Sequence, residues 1–148
     1  MGWSQWVVWH AVPTLFMAGV IWFVQVVHYP LFAAVGTHGF AAYERANCRR
    51  TTFVVLPAML AELAAALWLW WSAPAEQALA AAWGLGLLGV VWGSTFALQV
   101  PCHHRLEQGF DAATARRLVW SNGLRTAAWS ARAGLAVWWL TQAAHGNH

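Results

Sequence analysis

Gln99 to Arg132, QVPCHHRLEQGFDAATARRLVWSNGLRTAAWSAR, decides how the rest of the chain is read. It starts at the polar end of one apolar segment, turns through a short loop and runs deep into another. Asn122, Arg125 and Arg132 fall inside that second segment. A guanidinium does not shed its proton, so within hydrocarbon it must face a bundle interior, a counter-charge or a ligand. The stretch predicts a membrane helix with a polar inner face.

Composition points to the same solvent. The 148-residue chain is 60% hydrophobic and 9% charged, whereas soluble domains carry about 25% charged residues. A water-soluble fold of this length has too little interior for so much apolar surface. The net charge of +3 rests on eight arginines and no lysine. They sit at segment ends or inside segments, which is not a nucleic-acid footprint. Cys48 and Cys102 fall in separate loops without metal-type spacing, and cytoplasmic placement of both loops argues against a disulfide. The opening MGWSQWVVWH lacks a basic n-region, so the first apolar segment is expected to be retained as a span.

Four segments reach the roughly 20 residues needed to cross hydrocarbon: 6–29, 51–72, 78–100 and 118–141. The expected fold is all-α, a four-transmembrane-helix bundle forming a single domain over 1–148. Pro30 and Pro101 are expected to close the first and third spans, and Asp111 to cap the helix that becomes the fourth. Thr37 to Arg49 reads as a separate short amphipathic helix at the interface. Gly89 and Gly93 form a GxxxG pair, expected to permit close helix contact. Arg45, Arg49 and Arg50 lie in the first connection, and Arg105, Arg116 and Arg117 in the third. The second, APAEQ, has no basic residue. The positive-inside rule then places the chain in the inner membrane with both termini outside.

The fourth segment carries Asn122, Arg125, Trp129 and Arg132 at helical spacing, one stripe of a helix. At about 1.5 Å per residue, Arg125 lies about two turns below the cytoplasmic surface and Arg132 near mid-membrane. Glu62 is the one acid inside a span and lies at an intermediate depth, so a Glu62–arginine pair across the bundle is expected. His28 ends the first span. His103 and His104 follow the third, with Gln99 one turn before His103. Imidazoles titrate near neutrality and also ligate metals. His103, His104, Asn122 and Arg125 are therefore candidate catalytic groups, and Glu62, Gln99, Trp129 and Arg132 candidate substrate contacts. His28 and His103 are the candidate ligands if a metal or haem is bound, although no motif specifies a cofactor.

His10 precedes His28 by 18 residues, about 27 Å along a helix, and is separate from that site. His38 is assigned to the interfacial surface, and His145 and His148 to the C-terminal tail. Trp3, Trp6, Trp9, Trp68, Trp70, Trp71, Trp138 and Trp139 read as interfacial belts. Trp92, Trp120 and Trp129 read as interior residues able to pack a flat aromatic ligand.

Val100-Pro101-Cys-His-His-Arg-Leu106, followed by Trp120 and by Asn122-Gly-Leu-Arg125-Thr126, resembles the V-P-x-N-x-x-L and N-x-x-R-T patterns of the anthrone-oxygenase-like family. These are small four-helix membrane proteins. His103 stands near the family's asparagine position. The resemblance covers the C-terminal third, and before that only the four-span layout and the proline after the first span. It implies the four-helix fold and oxidation of polycyclic anthrones to anthraquinones without an obvious cofactor motif.

Two classes of function stay open. One is a membrane oxidoreductase or oxygenase acting on a lipophilic aromatic or quinone-like substrate at a cytoplasmic-side polar pocket, with a haem- or metal-binding membrane redox protein as its variant. The other is a non-enzymatic accessory subunit of a membrane complex, or a small transporter, with a membrane partner or a second copy of itself. Membrane lipids and a lipophilic small molecule are the expected partners, and nucleic acid is not. A cavity of about a few hundred Å³ reaching Arg125 would favour a ligand site. Arginines wholly paired with Glu62 and carbonyls would favour the subunit.

Overall fold

The structure is a computed structural model describing residues 2–145, so His148 lies outside the described residues. Among these residues the chain is helical, with no strand: α1 Trp3–Phe23, α2 Phe40–Ser72, α3 Ala78–Ser94, α4 Val100–Leu106 and α5 Ala112–His145. A wide π-type turn, Val24–His28, extends α1, and a second, Thr95–Gln99, joins α3 to α4. Three continuous helical stretches are long and apolar enough to cross a membrane: Trp3–Ala34, Phe40–Ser72 and Ala78–Leu106. α5 is longer still, but its polar residues lower its mean hydropathy and it is not among them.

α1 packs on α2 and α5, and α3 completes the ring by packing on the same two helices. Their directions alternate. At one end Trp3 meets Trp139 and Trp6 meets Trp68. At the other, Tyr29 meets His103, and Arg45 donates to the Glu107 carbonyl at 3.0 Å. Met17, Ile21, Leu88, Val91 and Trp129 fill the middle. Apolar side chains also cover the outside, with Phe53, Trp71, Leu79, Trp83 and Phe96 largely exposed. The buried positions instead include His10, Glu62, Asn122 and Arg132. Polarity, more than hydrophobicity, distinguishes the interior.

Two helix boundaries differ from expectation. The separate interfacial helix over Thr37 to Arg49 does not form. Gly39, at φ 85°, turns the chain, and Phe40 begins a helix that runs unbroken to Ser72. Phe40 anchors this start by packing on Phe32 and Phe110. Pro101 does not end the third helix either. It occupies the first turn of α4, directly after the Thr95–Gln99 turn. That widened turn makes room for a pyrrolidine ring that would clash with an ordinary preceding turn. Cys102, His103 and His104 therefore lie on a helix, not in a loop.

Asp111 caps α5 as expected, its Oδ2 accepting the Thr114 N–H at 2.9 Å and also the Thr114 hydroxyl. The hydroxyl first, and then the amide, hold this carboxyl below the usual carboxylate range.

The GxxxG expectation fails within the chain. A Cβ added at Gly89 or Gly93 would meet nothing within 4 Å, whereas one at Gly84 would lie 3.0 Å from Leu135 Cδ2. The close approach is between α3 and α5 at Gly84. Gly84→Val is expected to lower stability in detergent by about 1–3 kcal/mol through overpacking. Gly93→Leu should leave the unfolding midpoint of the isolated chain unchanged. Equal losses in the two variants would refute this assignment.

Candidate functional site

At the end of the bundle where Tyr29 meets His103, the first turns of α2 present Glu44, Asn47 and Cys48. Their i, i+3, i+4 spacing puts them on one helix face. α4 brings His103 to the same face. The fully buried Glu44 carboxylate collects donors from both helices. Its Oε1 lies 2.5 Å from His103 Nδ1 and accepts the Cys48 thiol at 3.5 Å, and its Oε2 accepts Asn47 Nδ2 at 3.1 Å. The Tyr29 hydroxyl lies 3.0 Å from His103 Nε2. With a neutral imidazole whose Nδ1 donates to the carboxylate, Nε2 is left to accept from the Tyr29 hydroxyl. Phenol, imidazole and carboxylate form one hydrogen-bonded chain.

Arg125 comes from α5 to line the same pocket as Tyr29. Its guanidinium lies 5.2 Å from the centre of the Trp129 ring and donates to Asn122 Oδ1 at 3.3 Å. Asn122 Nδ2 donates to Gln25 Oε1 at 2.9 Å. Gln99 Nε2 donates to the Ser121 hydroxyl at 3.0 Å. Among the described residues, Arg125 Nε and Gln99 Oε1 are buried without a partner. Both residues line a cavity of about 280 Å³. Its apolar walls include Met17, Val20, Ile21, Val24 and Val55, and its polar lining includes His28, Tyr29, Asn47, Cys48 and His103. The two wide turns supply His28 and Gln99 to this lining, and such turns are frequent at functional sites.

A second polar cluster lies deeper. Arg132 Nε donates to Glu62 Oε1 at 2.9 Å, and both side chains are fully buried. Arg132 also donates to the Gly84 carbonyl, and its Nη2 lies 3.0 Å from His10 Nε2. Thr14 and Trp129 each donate to Glu62 at 3.0 Å. No space for a water-sized molecule remains beside Arg132 and His10. The expected Glu62–arginine pair is therefore present, made with Arg132.

The stripe on α5 thus serves two places. Asn122 and Arg125 belong to the pocket end, whereas Arg132 belongs to the closed cluster, and Trp129 joins the two through its face and its N–H. Glu62, Trp129 and Arg132, the expected substrate contacts, do not line the cavity. His103 is central, and Gln99 lines the wall. His104 stands at the rim, its side chain 72% exposed and 3.5 Å from Glu107. His28 bonds Asn47 Oδ1 at 2.9 Å. The ligand-type atoms that converge with those of His103 are on Glu44 and Cys48, not on His28. Trp120, expected inside, is 82% exposed. His145 ends α5, bonded to the Thr141 carbonyl at 2.6 Å.

Sequence reasoning missed Tyr29, Glu44, Asn47 and Cys48 as site residues. The i, i+3, i+4 pattern was the available signal for the last three. Comparison with protein-family models, curated proteins and solved structures finds no match to this chain.

Proposed function

We propose that this is a four-span membrane oxygenase that binds a lipophilic aromatic ketone in the pocket and removes a proton from it, as the anthrone-oxygenase resemblance implies. The observation that carries the reading is the Tyr29–His103–Glu44 chain, whose Tyr29 and His103 line, with Arg125, an apolar-walled cavity of about 280 Å³. The fourth span is α5. Its polar stripe is buried while Trp120, Leu124, Val137 and Trp138 are exposed, so its outer face suits lipid although its average composition is polar. The arginine-bearing connections favour, by the positive-inside rule, a pocket at the cytoplasmic end of an inner-membrane protein.

The chemistry follows from the order of the groups. His103 takes the Tyr29 proton, and the buried Glu44 carboxylate stabilises the imidazolium formed. Arg125 stabilises the negative charge left on the Tyr29 oxygen. That oxygen withdraws a proton from the acidic methylene of the ketone, leaving an electron-rich aromatic anion that reacts with O2. For an anthrone, one O2 is consumed and one anthraquinone and one water are formed. The accessory-subunit alternative calls for both deep arginines to be fully paired. That description suits Arg132 but not Arg125, whose Nε is unpartnered beside a cavity.

The test is addition of anthrone to detergent-purified protein in air. Saturable quenching of tryptophan fluorescence is expected, with O2 uptake matching anthraquinone formed at a rate well above the detergent blank. Absence of saturable binding, or oxidation no faster than the blank, would refute the proposal.

A further inference from the structure

We propose that Glu44, Cys48 and His103 form a binding site for a divalent transition metal, of the kind that takes Zn2+, at the mouth of the pocket. The inference does not rest on the substrate named above, and the ion-bound state is an alternative to the Tyr29-to-His103 proton transfer, because an ion on Nδ1 leaves Nε2 protonated. Glu44 and Cys48 are one turn apart on α2, so one helix face offers two ligand atoms, and α4 supplies the third. The carboxylate oxygen, thiol sulfur and imidazole nitrogen all lie within 4.8 Å of one another. Tetrahedral zinc bonds of about 2.0–2.3 Å set ligand atoms roughly 3.3–3.7 Å apart. The Cys48–Glu44 separation of 3.5 Å already matches. The His103–Glu44 contact of 2.5 Å holds a proton, and must open by about 1 Å to hold an ion instead.

The donor set narrows the choice of ion. A thiolate, an imidazole and a carboxylate suit Zn2+ or Co2+ and disfavour Mg2+ and Ca2+, which take oxygen ligands. Three protein ligands leave a fourth position for water or substrate, the arrangement of catalytic zinc sites. Charge points the same way. Glu44 is fully buried, and among the described residues its ion-pair partner is His103 alone, with no arginine. Thiolate and carboxylate together would neutralise a divalent ion.

The groups that orient the ligands are in place. With Nδ1 on the ion, His103 Nε2–H donates to the Tyr29 oxygen, 3.0 Å away. Asn47 Nδ2 holds the far oxygen of Glu44 at 3.1 Å. Such outer contacts fix the ligand rings and raise affinity. As the ion enters, the Cys48 thiol proton leaves to solvent, and the His103 proton moves from Nδ1 to Nε2 by exchange with solvent.

The experiment is a Co2+ titration of the full chain, without a histidine tag, after chelator treatment in detergent. One Co2+ per chain is expected, with thiolate-to-cobalt charge-transfer absorption that Zn2+ abolishes. Cys48→Ser should remove that absorption, His103→Ala should remove stoichiometric binding, and Tyr29→Phe should weaken it about tenfold. Circular dichroism of each variant establishes that the helices remain. Binding that Cys48→Ser leaves unaltered, an absorption lost only in Cys102→Ser, or no stoichiometric Co2+ in folded wild-type protein would overturn the site. Anthrone binding by chelated protein is scored separately, so failure of the metal site and failure of the substrate reading are distinguishable.

Discussion

Glu62→Leu is expected to destroy the bundle, and adding Arg132→Leu to the same chain to recover much of it. Both side chains are fully buried and joined at 2.9 Å. Removing one partner of such a pair costs about 3–5 kcal/mol, because the other charge stays buried, whereas replacing both with apolar groups is often close to neutral. The two single variants should also differ. Arg132→Leu leaves a carboxyl that can take up a proton and keeps the donors Thr14 and Trp129. Glu62→Leu leaves a guanidinium that cannot be neutralised, with only the Gly84 carbonyl and His10 to face it. The expected order of stability is wild type, then the double variant, then Arg132→Leu, then Glu62→Leu. Yield of monodisperse protein and the unfolding midpoint in detergent measure it. A double variant no better than Glu62→Leu would mean that the cluster acts through its shape and hydrogen bonds, not its charge.

What was legible in the sequence followed from counting along helices. Depth alone matched Glu62 with an arginine, because two residues at similar levels on facing helices have few other partners in an apolar interior. The same counting separated His10 from His28, and the deep position of Arg132 explains where His10 went. Asp111 was readable as a cap because a cap is a local device. Faces were not readable. Whether Glu44, Asn47 and Cys48 meet His103 depends on two helices continuing where prolines and a loop-like composition suggested breaks. α2 runs on from Phe40, and α4 accepts Pro101 because a widened turn precedes it. Gly84 rather than Gly93 makes the close contact for the same reason: spacing identifies a glycine row but not the neighbour it faces.

Tyr29→Phe should separate chemistry from binding at the pocket. The substitution deletes one oxygen and keeps a ring that packs at 5.4 Å on Phe32 and 5.5 Å on His103, so the helix ends should stay in place. Anthrone should still quench tryptophan fluorescence with an affinity within a few-fold of wild type. Oxidation should fall by about 10²–10⁴, the usual contribution of a positioned acid–base group. Arg125→Ala removes the positive charge that lines the pocket with Tyr29 and should also abolish turnover, with the helical circular dichroism retained. The pair of variants tests a specific order of events. If Tyr29 carries the proton, the Tyr29→Phe variant binds substrate and does not turn it over, whatever the buffer. Were turnover to persist with the hydroxyl gone, His103 would have to act on substrate directly, and Glu44→Gln would then be the inactive variant while Tyr29 served only to orient the ring.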